Sequence, residues 1–265
     1  MVMRIGFIGN GNMGTAIMGG IISKGVAEPG DIVVSDINVD GLRESHEKYG
    51  VGTATDNKTA AAADIVFLAV KPNVVYKVID GIKDAVNENT LIVSIAAGQS
   101  ISRLEEAFGK KIKLVRVMPN TPALVGEAMS GIAVNENVTE SEKETVLKIF
   151  NSLGRGEIIE EYMMDAVTAV SGSSPAYVFM FIEAMADAAV RCGLPRAKAY
   201  TFAAQAVLGS AKMVLETGKH PGELKDMVCS PAGTTIDAVA VLEEEGFRSA
   251  VMKAMQACAE KSKSM

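Results

Sequence analysis

Residues 3–14 read MRIGFIGNGNMG. The run 3–9 is apolar and β-branched, as in a buried strand. Residues 12–24, NMGTAIMGGIISK, then carry a helical pattern. Between them Gly9, Gly11 and Gly14 fall in GxGxxG spacing. That spacing alone is weak, and a glycine-rich turn without a ligand is the competing reading. It becomes informative when it ends a strand and opens a helix. Gly9 then permits the tight turn, Gly11 lets a pyrophosphate approach the backbone, and Gly14 lets the helix pack close to the strand. The helix N-terminus presents unpaired N–H groups and positive potential to the anion.

Working outward, strands and helices alternate. DIVVSD (31–36) is a strand introduced by Glu28-Pro29-Gly30, and 39–49 is an amphipathic helix. ADIVFLAV (63–70) is a strand ended by Lys71-Pro72, followed by a helix at 74–86 and a strand at 90–96. Strands at 113–119, 130–136 and 156–161 surround a helix at 139–153. This order predicts an α/β fold with a Rossmann-type, doubly wound, mostly parallel sheet over residues 1–161. Ser35-Asp36 ends the second strand, about 20 residues after the glycines. An acid there accepts hydrogen bonds from both adenosine ribose hydroxyls and repels a 2′-phosphate. Asp36 therefore leans toward NAD. No Arg sits beside it, and Ser35 and Asn38 have groups that can hydrogen-bond a phosphate, so NADP stays open.

Composition bounds the rest. The 265 residues carry a net charge of −6, which excludes a general nucleic-acid binder. No Trp is present, so the core must be built mainly from Ala, Val, Ile, Leu and Met. Cys192, Cys229 and Cys258 are far apart and odd in number. Neither a disulfide framework nor a metal site is expected, and a reducing cytoplasm is the simple reading. The chain enters its first strand without a secretory signal. Its apolar runs are broken before the length of about 18 residues that a membrane span needs.

From 162 to 265 the pattern is helical: 175–191, 195–217, 221–228, 232–244 and 246–262, with Pro175 and Pro195 at helix starts. Segments such as AYVFMFIEAMADAAV have only narrow polar stripes. A helix apolar nearly all round must be buried on several sides. Burial between subunits of a homodimer is favoured over packing on the first domain.

The chemistry starts from an absence. VSGSSP (170–175) begins like the substrate loop of β-hydroxyacid dehydrogenases, where a catalytic Lys follows on the next helical turn. Here that turn is Ala176, Tyr177, Val178 and Phe179. His46 and His220 read as surface residues. Cys229 reads as packing, because no base is patterned near it. A carbon–nitrogen double bond needs no strong base, since an iminium takes its proton from solvent before hydride attack. CSPAGTTIDA (229–238) interrupts the helices. Ser230 is expected to cap and Pro231 to open the next helix. The N–H groups of Gly233, Thr234 and Thr235 then form an anion site suited to one carboxylate.

GFIGNGNMG, AVKP (69–72), SIAAG (94–98), RVMPNTPALVGEA (116–128), SGSSPAY (171–177), HPGELKDMVCSPAGTTIDAV (220–239) and LEEEGFRSAV (242–251) together resemble pyrroline-5-carboxylate reductase. The likeness covers essentially the whole chain. It implies NADPH- or NADH-dependent reduction of 1-pyrroline-5-carboxylate to L-proline, the final step of proline biosynthesis. It implies a homodimer with intertwined helical domains, often assembled into a decamer, with 162–265 serving dimerisation and substrate binding. It implies that Ile8, Gly9, Asn10, Gly11, Asn12 and Met13 line the pyrophosphate. Ser35 and Asp36 would take the adenosine ribose, and Asn57 would touch the cofactor. Ala69, Val70, Lys71, Pro72, Ile95, Ala96 and Ala97 would flank the ribose and nicotinamide. Ser230, Gly233, Thr234 and Thr235 would hold substrate, with the Thr235 hydroxyl on the ring nitrogen. That cradle would face the nicotinamide of the same or the partner subunit. Asp36 departs from the small or hydroxyl residue many members carry. The competing classes are a β-hydroxyacid-type dehydrogenase and a non-catalytic dinucleotide-binding regulatory protein.

Overall fold

The structure, a computed structural model, describes residues 3–265. The chain divides into two compact units. One runs to Ser173 and takes in Cys258–Met265, and the other is Ser174–Ala257.

The first unit contains β1 (Ile5–Ile8), α1 (Asn12–Ser23), β2 (Ile32–Ser35), α2 (Val39–Tyr49), β3 (Gly52–Ala54), α3 (Asn57–Ala61), β4 (Ile65–Leu68) and α4 (Val75–Ile82). It continues through β5 (Leu91–Ser94), α5 (Ile101–Phe108), β6 (Lys113–Met118), β7 (Ala128–Val134), α6 (Glu140–Asn151), β8 (Gly154–Ile158) and α7 (Met164–Val167). The strands form one eight-stranded sheet in the order β3-β2-β1-β4-β5-β6-β7-β8. Every pairing is parallel except β6 with β7. The chain direction across the sheet reverses between β1 and β4, which makes their carboxyl ends the switch point where open α/β sheets bind ligands.

The central strands are apolar on both faces because both faces are covered. Ile5, Phe7, Ile65 and Phe67 point to one core with Ile17, Met18 and Phe150, from α1 and α6. Ile8, Val66 and Leu68 point to the other with Ile79, Ile82 and Leu104, from α4 and α5. Phe7 and Phe67, paired in register, stack at 4.6 Å between centroids.

β3, α3 and α5 lie outside the elements expected from sequence. β3 is a three-residue edge strand, too short to show alternation. α5 did carry its signals. Ser100 caps it by accepting from the Arg103 N–H at 3.3 Å, and Gly109 ends it at φ 63°. After β8 the chain stays on this unit beyond 161. Met164 is buried in the second core, and a single π-turn, Thr168–Gly172, leads out. The last residues join it too, with Ser262 Oγ donating to Asp165 Oδ1 at 2.6 Å.

The second unit is helical: α8 (Ser174–Arg191), α9 (Arg196–Thr217), α10 (Pro221–Val228), α11 (Thr234–Glu244) and most of α12 (Phe247–Lys263). Its buried residues, among those described, are Ala186, Ala199 and Ala203. Phe179 and Phe202 are 62% and 66% exposed. Each such side chain is worth roughly 1.5–3 kcal/mol when covered. One copy of this unit therefore has almost no core, and its apolar surface is far beyond what a monomer ordinarily shows.

Gly6 fixes how α3 lies on the sheet, since a Cβ there would fall 2.0 Å from the Ala60 carbonyl oxygen. Gly6→Ala should cost about 2–3 kcal/mol. Chemical denaturation measures it, and an unchanged midpoint would refute the contact.

Candidate functional site

The residues expected to form the site gather in two clusters, one in each unit. The first lies at the carboxyl ends of β1, β2, β4 and β5. Gly9 turns at φ 104°, and its Cβ would lie 2.4 Å from the Ala69 carbonyl oxygen. Ala69 N–H in turn donates to the Ile8 carbonyl at 2.8 Å, and Gly9 N–H to the Ser35 carbonyl at 2.8 Å. The glycine turn is thus wedged between the segments following β2 and β4. A Cβ at Gly14 would meet the Gly9 carbonyl oxygen at 2.8 Å, so α1 sits directly on the turn. At Gly11 the surroundings are open, with nothing within 4 Å of a Cβ.

Gly11 is also the N-cap of α1. No side chain caps the helix and its first turn has no acid. The first-turn N–H groups, Asn12 and Met13 among them, therefore face outward without an intrahelical partner. An open glycine before an uncapped, acid-free helix start fits a pyrophosphate.

The neighbouring groups divide between inward and outward work. Asn10 is used inside the protein. Its N–H donates to Asp36 Oδ2 at 2.6 Å, its Nδ2 donates to the Gly41 carbonyl at 2.8 Å, and its Oδ1 accepts from Ser45 Oγ at 2.9 Å. It ties the glycine turn to α2 rather than offering a free donor. Ser35 is fully buried, and its hydroxyl lies 2.9 Å from Asn57 Oδ1 and 3.3 Å from the Phe7 carbonyl. Asp36 also accepts from the Asn38 N–H at 2.8 Å.

Ala69–Pro72 follow β4 and Ile95–Ala97 follow β5. Lys71 is exposed and precedes the short turn Pro72–Val74. Two supports of these segments were not read from sequence. Tyr76 OH on α4 donates to Gln99 Oε1, which joins the two segments. Arg116 in β6, largely buried, pairs with Glu161 at 2.9 Å. The same Glu161 oxygen accepts the Ile101 N–H at 2.7 Å, at the start of α5. The available signal was a lone Arg inside the apolar strand KLVRVM.

His46 is exposed, with Nδ1 2.8 Å from the Val51 carbonyl oxygen. His220 caps α10 by accepting the Gly222 N–H at 3.1 Å.

The second cluster is 229–235. The cap differs from the one expected from sequence. Ser230 does not cap α11 and Pro231 is not in its first turn. Residues 230–233 form a turn closed by Gly233 N–H to the Ser230 carbonyl at 3.1 Å. Ala232 adopts φ 56°, which takes the chain out of helix. α11 starts at Thr234 with Gly233 as N-cap and no side-chain cap. A Cβ at Gly233 would fall 2.3 Å from Ser230 Oγ, so any larger residue there would have to turn the Ser230 hydroxyl away. The first-turn N–H groups of Thr234 and Thr235 are left open to an anion, beside their two hydroxyls.

Comparison with known proteins bears on both clusters. Residues 161–265 match the family profile described as pyrroline-5-carboxylate reductase dimerisation. Residues 4–98 match that of NADP oxidoreductase coenzyme F420-dependent. The chain is 55% identical to the pyrroline-5-carboxylate reductase of Escherichia coli (strain K12), over 100% of this chain and 99% of that protein. A solved pyrroline-5-carboxylate reductase from Coxiella burnetii superposes at TM-score 0.93 with 37% identity, covering 100% of this chain and 98% of that one. The Plasmodium falciparum pyrroline carboxylate reductase with NADP bound superposes at 0.90 with 36% identity, covering 99% and 97%.

Gly11→Ala separates binding from folding. Stability should change by no more than about 0.5 kcal/mol, because the Cβ meets nothing. Dinucleotide affinity, read by fluorescence titration, should fall at least about tenfold. Undiminished affinity would remove Gly11 from the site.

Proposed function

The chain belongs to the pyrroline-5-carboxylate reductase family, and on that premise we propose how its own residues carry the reaction. It is an oxidoreductase that uses NAD(P)H to reduce the C=N bond of 1-pyrroline-5-carboxylate, giving L-proline. The reduced nicotinamide supplies the hydride.

In this reading Gly9, Gly11, Asn12 and Met13 receive the pyrophosphate at the start of α1, with Ile8 behind them. Asn10 acts indirectly, by fixing the turn. Asp36 and Asn57 serve the adenosine ribose. Ala69–Pro72 and Ile95–Ala97 flank the nicotinamide ribose and ring. The backbone of Lys71 matters more than its amine.

The α11 start receives the substrate. Its carboxylate takes the N–H groups of Thr234 and Thr235, with Gly233 supplying the approach and Ser230 the wall. Such hydrogen bonds to a full charge are among the stronger ones. The Thr235 hydroxyl hydrogen-bonds the ring nitrogen. It steadies the iminium and directs the pair left on nitrogen once carbon takes the hydride. The observation that carries this reading is the uncapped start of α11, reached through Ala232 at φ 56° and a glycine set against the Ser230 hydroxyl.

The chain self-associates through its helical part. We take residues 1–161 as the dinucleotide domain and 162–265 as the dimerisation and substrate domain. The minimal assembly is a homodimer, and a decamer is the larger form to seek by light scattering. Among the described residues no helix is long and apolar enough to cross a membrane. Three free cysteines accord with a cytoplasmic setting.

Purified protein should oxidise reduced dinucleotide only when pyrroline-5-carboxylate is present. Tight dinucleotide binding without turnover would sink the proposal. Thr235→Ala should lower kcat by about 10²-fold, with dinucleotide affinity unchanged. Wild-type kcat in that variant would remove Thr235 from the chemistry.

A further inference from the structure

We infer that this chain is built to select NADH over NADPH, and that Asp36 is the residue that decides it. The inference rests on placing the dinucleotide at the glycine turn. It adds which dinucleotide, through how the groups after β2 are turned.

Two hydrogen bonds fix Asp36. Asp36 Oδ2 accepts the Asn10 N–H at 2.6 Å and Oδ1 accepts the Asn38 N–H at 2.8 Å. Each carboxylate oxygen keeps a further lone pair for another donor. The side chain is thus fixed beside the glycine turn with acceptor capacity to spare, which suits a ribose diol. Ser35, the hydroxyl that could have received a 2′-phosphate, is fully buried and engaged with Asn57 and the Phe7 carbonyl. Asn38, the other candidate, gives its N–H to Asp36, and its Oδ1 accepts from the Gly41 N–H at 3.2 Å, so its side chain is held as the helix cap and brings only a neutral Nδ2 donor. Ile37, next to Asp36, stands 98% exposed and offers an apolar face to the attached base.

The surrounding charge points the same way. Arg43 on α2 is held by Asp40 at 2.8 Å. Lys58 on α3 is exposed, and its helix start is capped by Asp56, which accepts the Lys58 N–H at 3.2 Å. Asp36, Asp40 and Asp56 outnumber Arg43 and Lys58 at this edge of the sheet. A 2′-phosphate would have to enter against a fixed carboxylate without a free guanidinium to receive it. The like-charge term is sizeable at contact distance near a protein surface.

The test is direct binding of NADH and of NADPH to the purified protein by fluorescence titration, with kcat/KM for each measured separately. The wild-type chain should bind NADH more than about tenfold tighter. Asp36→Ser should narrow or invert that ratio by about tenfold or more. Asp36→Asn keeps the shape of the side chain and should move the ratio the same way, which covers the event that Asp36→Ser folds poorly. Equal losses for both dinucleotides in the variants would make Asp36 only a fastener of the turn and overturn the inference. Wild-type preference for NADPH would overturn it as well. If both dinucleotides bind equally and turnover is normal, only this inference fails. If neither binds, the dinucleotide reading fails with it.

Discussion

At the carboxyl ends of β1 and β4 two backbone segments approach so closely that no side chain fits between them. Gly9 stands 2.4 Å, measured from where its Cβ would be, from the Ala69 carbonyl oxygen, and Gly14 lies against Gly9 in the same way. This contact decides where α1 begins, which way its N–H groups face, and where the segments after β2 and β4 lie. Hydrogen bonds from Asn10 and Asp36 then hold the turn against α2. Other glycines end helices at positive φ, as Gly109 does, or admit a single close neighbour, as Gly6 does. Here their absence of side chain lets three strands share one edge and still leaves Gly11 open.

The same device recurs in the helical unit by a different route. There the chain must leave one helix and start another with bare N–H groups. Ala232 takes a left-handed conformation that L-residues adopt at some cost. Gly233 lets the Ser230 hydroxyl sit against the backbone at the start of the helix. The stretch gains nothing as helix, so its conformation makes sense as a way to expose the start of α11. Around it lies a unit whose buried residues are alanines, which cannot be its final state. Its stability must come from surfaces supplied by a second copy, so association and the integrity of this cluster are one problem.

Much of this was legible in sequence, and the limits are physical. β1, its glycines and the alternation through β6 were readable because parallel, two-sided strands leave continuous apolar runs. The helical half was readable from periodicity and from Pro175 and Pro195. β3 was not, because three residues on a sheet edge carry no period. α5 was missed although Ser100 and Gly109 mark its ends. The start of α11 was misplaced because Ser230-Pro231 imitates a cap and first turn, while the deciding feature is a positive φ at an alanine. The inward turn of Asn10 and Ser35 was beyond reach, since side-chain partners many residues away leave no local pattern. Arg116 left a trace as a charge in an apolar strand. Its partner Glu161 did not, and a buried pair of this kind is better understood as fixing position than as adding stability.

By net charge alone, a chain at −6 handling two anionic ligands would call for cationic side chains. It has another resource. Both proposed anion sites are helix starts, where fixed N–H groups and the helix dipole supply positive potential without a titrating group. Backbone donors reach neither far nor flexibly, so they hold a small carboxylate or a pyrophosphate in one place. They also spare the site a lysine amine, a nucleophile that would compete with the hydride for the electrophilic imine carbon. The economy has a consequence at Asp36. Where the cofactor variant with an extra phosphate would require a cation, this sheet edge has instead fixed a carboxylate to two backbone donors. Recognition by backbone in the centre of the site leaves discrimination to the few side chains at its rim.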